Sequence, residues 1–165
     1  MTSLDTFEVD STRRNKLKAT ELRYRSEWRQ QTMVPQVRVL IVDDRIRSRE
    51  GLRALLATSP EIEVVGEAAN GQEAVRLVDE QQPDVVLMDI RMPGMNGLEA
   101  TRHIKSRYPQ VQVIALTLYT TYRSNALTAG AAAFLVKGVA PEKLLETIKS
   151  CGIAARGPDN CLYEN

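Results

Sequence analysis

Soft metal ligands are scarce in this chain: 165 residues include two cysteines and one histidine. Cys151 and Cys161 both lie near the C-terminus, without metal-ligand spacing and without histidine neighbours. That excludes a zinc cluster and a disulfide framework, and leaves reduced thiols as the expectation. No apolar run approaches the roughly 20 residues that a membrane helix needs. The N-terminus also lacks the apolar core of an export signal. A cytoplasmic chain with no membrane partner is therefore expected. Formal net charge is only +1, so the overall balance argues neither for nucleic acid nor for a membrane surface. Internal repeats and low-complexity tracts are missing too.

Charge is nevertheless unevenly placed. Residues 11–31 hold seven basic side chains against Glu21 and Glu27, a local net charge of +5. This sets residues 1–35 apart as a basic N-terminal extension. Leu17, Tyr24 and Trp28 are spaced as one weak apolar stripe on a helix would require. An acidic partner or nucleic acid would suit such a segment, whereas a solvated extension is the simpler reading.

From Val37 onward apolar runs alternate with helical patterns. "VRVLIVDD" (37–44), "EIEVVGEA" (61–68), "DVVLMD" (84–89), "VQVIALT" (111–117) and "AAFLVK" (132–137) read as strands. Near-continuous apolar runs of this kind fit strands buried on both faces. Between them, 47–58, 71–82, 97–108 and 122–129 read as helices, with Leu52, Leu55 and Leu56, then Ala74, Val75 and Val78, on inner faces. A last helix over 140–150 carries Pro141 in its first turn. Five strand–helix alternations with short connections predict an α/β fold, a doubly wound five-stranded parallel sheet with five helices.

In such sheets ligands bind beyond the carboxyl ends of the strands. Strand one ends in Asp43 and Asp44, strand three in Asp89, strand four in Thr117 and strand five in Lys137. Strand two ends in nothing chemically notable. Acids and lysines often terminate strands simply because water reaches them there. Three carboxylates, a hydroxyl and an ammonium on one edge are a different matter. Neighbouring carboxylates repel, and a divalent cation relieves that conflict; an all-oxygen site suits Mg²⁺. A carboxylate beside such a cation can attack a phosphoryl donor and become an acyl phosphate. Asp89 is the candidate nucleophile, with Thr117 and Lys137 placed to stabilise charge on the transferred group.

"VLIVDD", "DVVLMDIRMPGMNGLEATR", "ALT" and "FLVKG" resemble the receiver domain of two-component response regulators, in particular receivers of the LuxR/NarL type. The resemblance spans residues 36–150. It implies the flavodoxin-like (CheY-like) sheet order 2-1-3-4-5 and a phospho-acceptor role for Asp89. Metal ligation of Mg²⁺ would fall to Asp43, Asp44, Asp89 and the backbone carbonyl of Arg91. Thr117 and Phe134 would be the switch residues, and Lys137 would pair with the phosphoryl group. A sensor histidine kinase or phosphotransfer protein would be the donor. The face formed by helix four, strand five and helix five would serve a partner or a homodimer.

Two departures stand out. Leu118 is bulkier than the residue often found after the switch threonine, which narrows access to the acceptor. Thr117 and Lys137 are twenty residues apart, closer than is common, which predicts a trimmed loop before helix four. Other residues read more plainly. His103 is a helix-surface residue, Met88, Met92 and Met95 are packing residues, and Pro93, Gly94 and Gly97 shape a turn. Residues 151–165 read as a short tail without a helix-turn-helix, so direct DNA binding is not expected. The function that follows is a phosphorelay receiver that catalyses only its own phosphorylation and dephosphorylation. Alternatives are a transcription regulator lacking or having lost its output domain, and a Mg²⁺-dependent phosphohydrolase. The phosphohydrolase would need a second acid at position 91, where Arg91 stands.

Overall fold

Apolar β-branched runs form the strands because pleated backbone presents successive side chains to opposite faces, and here both faces are covered. The computed structural model describes residues 35–157. The expected N-terminal extension therefore falls almost wholly outside the described residues. Strands β1 (Val37–Val42), β2 (Ile62–Ala68), β3 (Val85–Met88), β4 (Gln112–Thr117) and β5 (Ala133–Val136) form one parallel sheet of order β2-β1-β3-β4-β5. Helices α1 (Ile46–Leu56), α2 (Gly71–Gln81), α3 (Gly97–Arg107), α4 (Arg123–Thr128) and α5 (Pro141–Arg156) connect and follow them. This is the doubly wound sheet with five helices that the alternation predicts.

Residue parity divides the core. Leu40, Val42, Val86 and Met88 pack with Ala74, Val78, Ala100 and Ile104 beneath α2 and α3. Val39, Ile41, Val85 and Leu87 pack with Leu56, Leu144 and Ile148 beneath α1 and α5. Each of these fifteen strand and helix positions behaves as the helical and strand periods require. The parity breaks once. Val39 pairs with Val64 but Leu40 pairs with Gly66, so β2 slips by one residue and carries a bulge. Beyond the slip, Glu67 pairs with Ile41 and shares its face, toward α1.

Most element bounds differ from expectation by only one or two residues, and two larger departures have a physical cause. The last helix continues past residue 150 to Arg156. Gly152 presses on Val37, where an added Cβ would lie 2.4 Å from a valine methyl. In the final turn, Arg156 donates to Asp84 Oδ2 at 2.8 Å and also to the Gln36 carbonyl. Those contacts tie the helix end to the start of β1 and β3, which periodicity within one helix does not reveal. On the other side, Leu118 and Tyr119 alone separate β4 from a 3-10 turn at Thr120–Tyr122. That turn runs straight into α4, which has six residues, so the short spacing falls on the helix as much as on the loop.

The connection after β3 depends on one glycine. Gly97 opens α3 directly against β3, and a Cβ there would sit 2.0 Å from the Asp89 carbonyl oxygen and 2.8 Å from Ile90 Cα. Both obstacles are backbone and cannot rotate away. Gly97→Ala is expected to cost at least roughly 1–3 kcal/mol, the usual range for overpacking. Urea denaturation of the two chains measures it.

Candidate functional site

Strand ends gathered at one edge of the sheet create the site. Val42 pairs with Met88 and Met88 with Ala115, and the chains of β1 and β3 stay bonded one step further, Asp89 N–H donating to Val42 O at 2.8 Å. Lys137 N–H donates to Thr117 O at 2.8 Å at the end of the β4–β5 pair. Asp43, Asp44, Asp89, Thr117 and Lys137 are thus brought to one edge, as the strand-end reading requires.

Asp43 and Asp89 are both buried, at 1% and 6% exposure, while Asp44 is exposed. Asp43 Oδ1 accepts from the Arg45 N–H at 2.9 Å, and Asp89 Oδ1 accepts from the Ile90 N–H at 2.8 Å. The Lys137 ammonium lies 2.6 Å from Asp43 Oδ2 and 3.1 Å from Asp89 Oδ2. One oxygen from each of Asp43, Asp44 and Asp89 lies within 4.8 Å of the others. At that separation and an effective dielectric near 20, the two buried carboxylates repel by about 3.5 kcal/mol, and the exposed Asp44 adds a smaller repulsion that water screens. Among the described residues, these repulsions are met at salt-bridge distance by a single ammonium, that of Lys137. Burial pushes the Asp89 carboxyl above the ordinary carboxylate range; Lys137 opposes the rise and Asp43 adds to it.

A cleft of about 220 Å³ opens onto these groups, lined by Asp44, Asp89, Arg91, Thr117, Leu118 and Tyr119 among others. Its donors are all oxygens, with no sulfur or imidazole. This donor set, crowded and open on one side, fits a hard divalent cation that keeps part of its water. Leu118 is 52% exposed at the mouth, and the Arg91 guanidinium stacks over the Tyr119 ring, 4.8 Å from its centroid. Arg91 is thereby engaged with an aromatic face rather than offering acid chemistry, which weighs against the phosphohydrolase alternative. Thr117 is buried at the floor. Phe134 is half-buried against Ile90, Ala115, Ala126 and Ala131, between the sheet and α4. His103 is exposed, and Met88, Met92 and Met95 pack in the core as expected.

The sequence profile of the response regulator receiver domain matches residues 39–149. The chain belongs to the response regulator receiver family. It is 41% identical over 116 residues to the transcriptional regulatory protein DegU of Brevibacillus brevis, covering 69% of this chain and 49% of that one. Accordingly, the chain spans about half the length of the curated relatives it matches. Among solved structures, a LuxR-family two-component response regulator from Aurantimonas sp. SI85-9A1 superposes with a TM-score of 0.68 at 36% identity, over 75% of this chain and 91% of that one. A CheX–CheY–BeF3–Mg²⁺ complex from Borrelia burgdorferi superposes with a TM-score of 0.63 at 28% identity, over 68% of this chain and 87% of that one.

This receiver also contains site neighbours that strand-end reading misses. Arg49, on α1, donates from Nη1 to the Asp43 carbonyl oxygen at 2.7 Å and meets Glu67 Oε2 at 3.3 Å. Arg53 reaches the other Glu67 oxygen at 3.2 Å. The available signal was a charged residue inside the apolar strand "EVVGEA", opposite two arginines four apart on the preceding helix.

A buried carboxyl whose proton affinity is raised by folding subtracts from stability when ionised. The stability of the wild type relative to an uncharged variant is greatest below the unfolded carboxylate pKa, and is lost as pH rises through the folded one. Asp89→Asn is therefore expected to melt at a higher temperature than wild type near pH 7, measured without divalent cations. The gap should narrow as pH falls through the carboxylate range; calorimetric melts across that range measure it.

Proposed function

We propose that the chain is a two-component receiver that takes a phosphoryl group on Asp89 from a sensor histidine kinase or a phosphotransfer protein. The observation that carries this reading is the buried Asp89 carboxylate, grouped with two further carboxylates in an open cleft, with an ammonium 3.1 Å away. Asp43, Asp44, Asp89 and the backbone carbonyl of Arg91 would hold Mg²⁺. When bound, the cation supplies positive charge that the transferring phosphoryl oxygens need. An Asp89 oxygen forms a bond to phosphorus while the donor's phosphorus–nitrogen bond breaks, the electron pair leaving with the imidazole. In acetyl phosphate the bond that breaks is phosphorus–oxygen, and acetate leaves. The Lys137 ammonium pairs with the phosphoryl group, and the Thr117 hydroxyl donates to one of its oxygens. No other molecule is turned over.

Output would pass through Thr117 and Phe134 to the α4–β5–α5 face. An apolar groove of about 440 Å³ lined by Thr120, Arg123, Phe134, Val136 and Val139 lies beside that ring. Reorienting Phe134 would reshape it for a protein partner or a second copy of the chain. A cytoplasmic setting suits a donor kinase of this class.

Intact-protein mass spectrometry after incubation with acetyl phosphate and Mg²⁺ tests the reading. One phosphoryl group should appear on wild type, require the cation, and be missing from Asp89→Asn. Adduct formation by the mutant, or none on wild type with either acetyl phosphate or a phosphorylated histidine donor, would overturn it. Leu118→Ala should widen the mouth of the cleft and admit water, so that the acyl phosphate decays severalfold faster in the same assay.

A further inference from the structure

The carboxylates of Asp43 and Asp89 are held by named partners, whereas Asp44 projects into solvent. An exposed side chain on a strand-to-helix turn is placed by the peptide that carries it. The carbonyl of that peptide, Asp43 O, is the one that Arg49 grips. Arg49 and Glu67 are shielded, with side chains 15% and 25% exposed, so their ion pair resists screening better than a surface pair does. The bulge in β2 makes this contact possible. Val64 faces α1, and strict alternation would send Glu67 to the α2 side; the one-residue slip turns it back toward α1. Bulges re-aim side chains in this way.

Charge balance gives the arrangement its logic. A lone guanidinium beside three carboxylates would oppose the entry of a cation. Glu67 neutralises it, leaving the planar fork to hold backbone on one side and carboxylate on the other. We infer that Arg49, clamped by Glu67, is a positioning residue that holds the Asp43–Asp44 peptide in the geometry needed to bind a divalent cation. The inference rests on the proposed reading of the acidic cluster as a Mg²⁺ site. Support of ligands by their hydrogen-bonded neighbours is a general property of metal centres.

The sign of one substitution separates positioning from simple charge. Arg49→Met keeps the aliphatic stem and removes a positive charge, so through-space electrostatics alone predicts tighter Mg²⁺ binding. Positioning predicts weaker binding, by about tenfold. Arg49→Lys keeps the charge but cannot span both acceptors, and is expected to weaken binding less than Arg49→Met. Calorimetric titration of the full chain with Mg²⁺ alone reads these affinities, alongside urea midpoints. The rate of phosphorylation by acetyl phosphate should fall at low Mg²⁺ and return to within about twofold of wild type at saturation, since the acceptor Asp89 is untouched. Unchanged or tighter Mg²⁺ binding in Arg49→Met, with only a lowered urea midpoint, would overturn the inference and leave Arg49 a purely structural residue. If Arg49→Met does not fold, Arg49→Lys decides alone, wild-type affinity there being the overturning result. A wild-type chain that binds no Mg²⁺ would instead sink the reading of the cluster itself, and the positioning role with it.

Discussion

The ammonium of Lys137, 2.6 Å from Asp43 and 3.1 Å from Asp89, is set against the repulsion of three carboxylates gathered on one sheet edge. Buried acids of this kind are tolerated only where positive charge and N–H donors meet them. Asp43 has both, from Lys137 and the Arg45 N–H. Asp89 has both, from Lys137 and the Ile90 N–H. What remains is three carboxylates sharing one close ammonium at a point that solvent can reach. A site in that condition discriminates strongly between having a cation and lacking one, and that is what makes an edge of this kind responsive.

Everything beneath the edge serves to hold it together. Parallel pairing fixes the register of β1, β3, β4 and β5 so that all four end at one edge of the sheet, with β4 and β5 running two residues past β1 and β3. That register is held by the fit of particular side chains, since a slip of one residue would exchange those packed against α2 and α3 for those packed against α1 and α5. Behind Asp89 the backbone of α3 comes too close for any side chain at Gly97, so β3 and the next helix are packed backbone against backbone. Stability is given up at the carboxylates and recovered in the core, a division common to functional sites.

Periodicity and strand ends made most of this legible in the sequence. Long apolar runs at β1 and β3 announced strands covered on both sides, and the polar residues that stop them announced the site. What escaped were features that depend on pairing between distant segments. The slip between Val39 and Leu40 has no marker beyond Gly66, whose missing side chain accommodates Leu40. Arg156 ends a helix whose own pattern points to an end at residue 150, because its reason for continuing lies at Gln36 and Asp84, just before β1 and β3. Strand two reads as chemically empty at its end because Glu67 sits before the strand's last position, not at it.

Glu67 shows why such features matter to the site and not only to the fold. An edge strand can absorb an irregularity that a central strand cannot, because only one neighbour must adjust. In β2 that freedom places a carboxylate on the α1 side, where it meets Arg49 and Arg53. With Glu67 facing α2, the Arg49 guanidinium beside Asp43 would stand without its counter-charge, and would compete for the very carboxylates that a cation needs. The bulge therefore lets a positive group brace the backbone of the acidic turn without occupying the turn's charge. Support and function are kept apart by a single inserted residue.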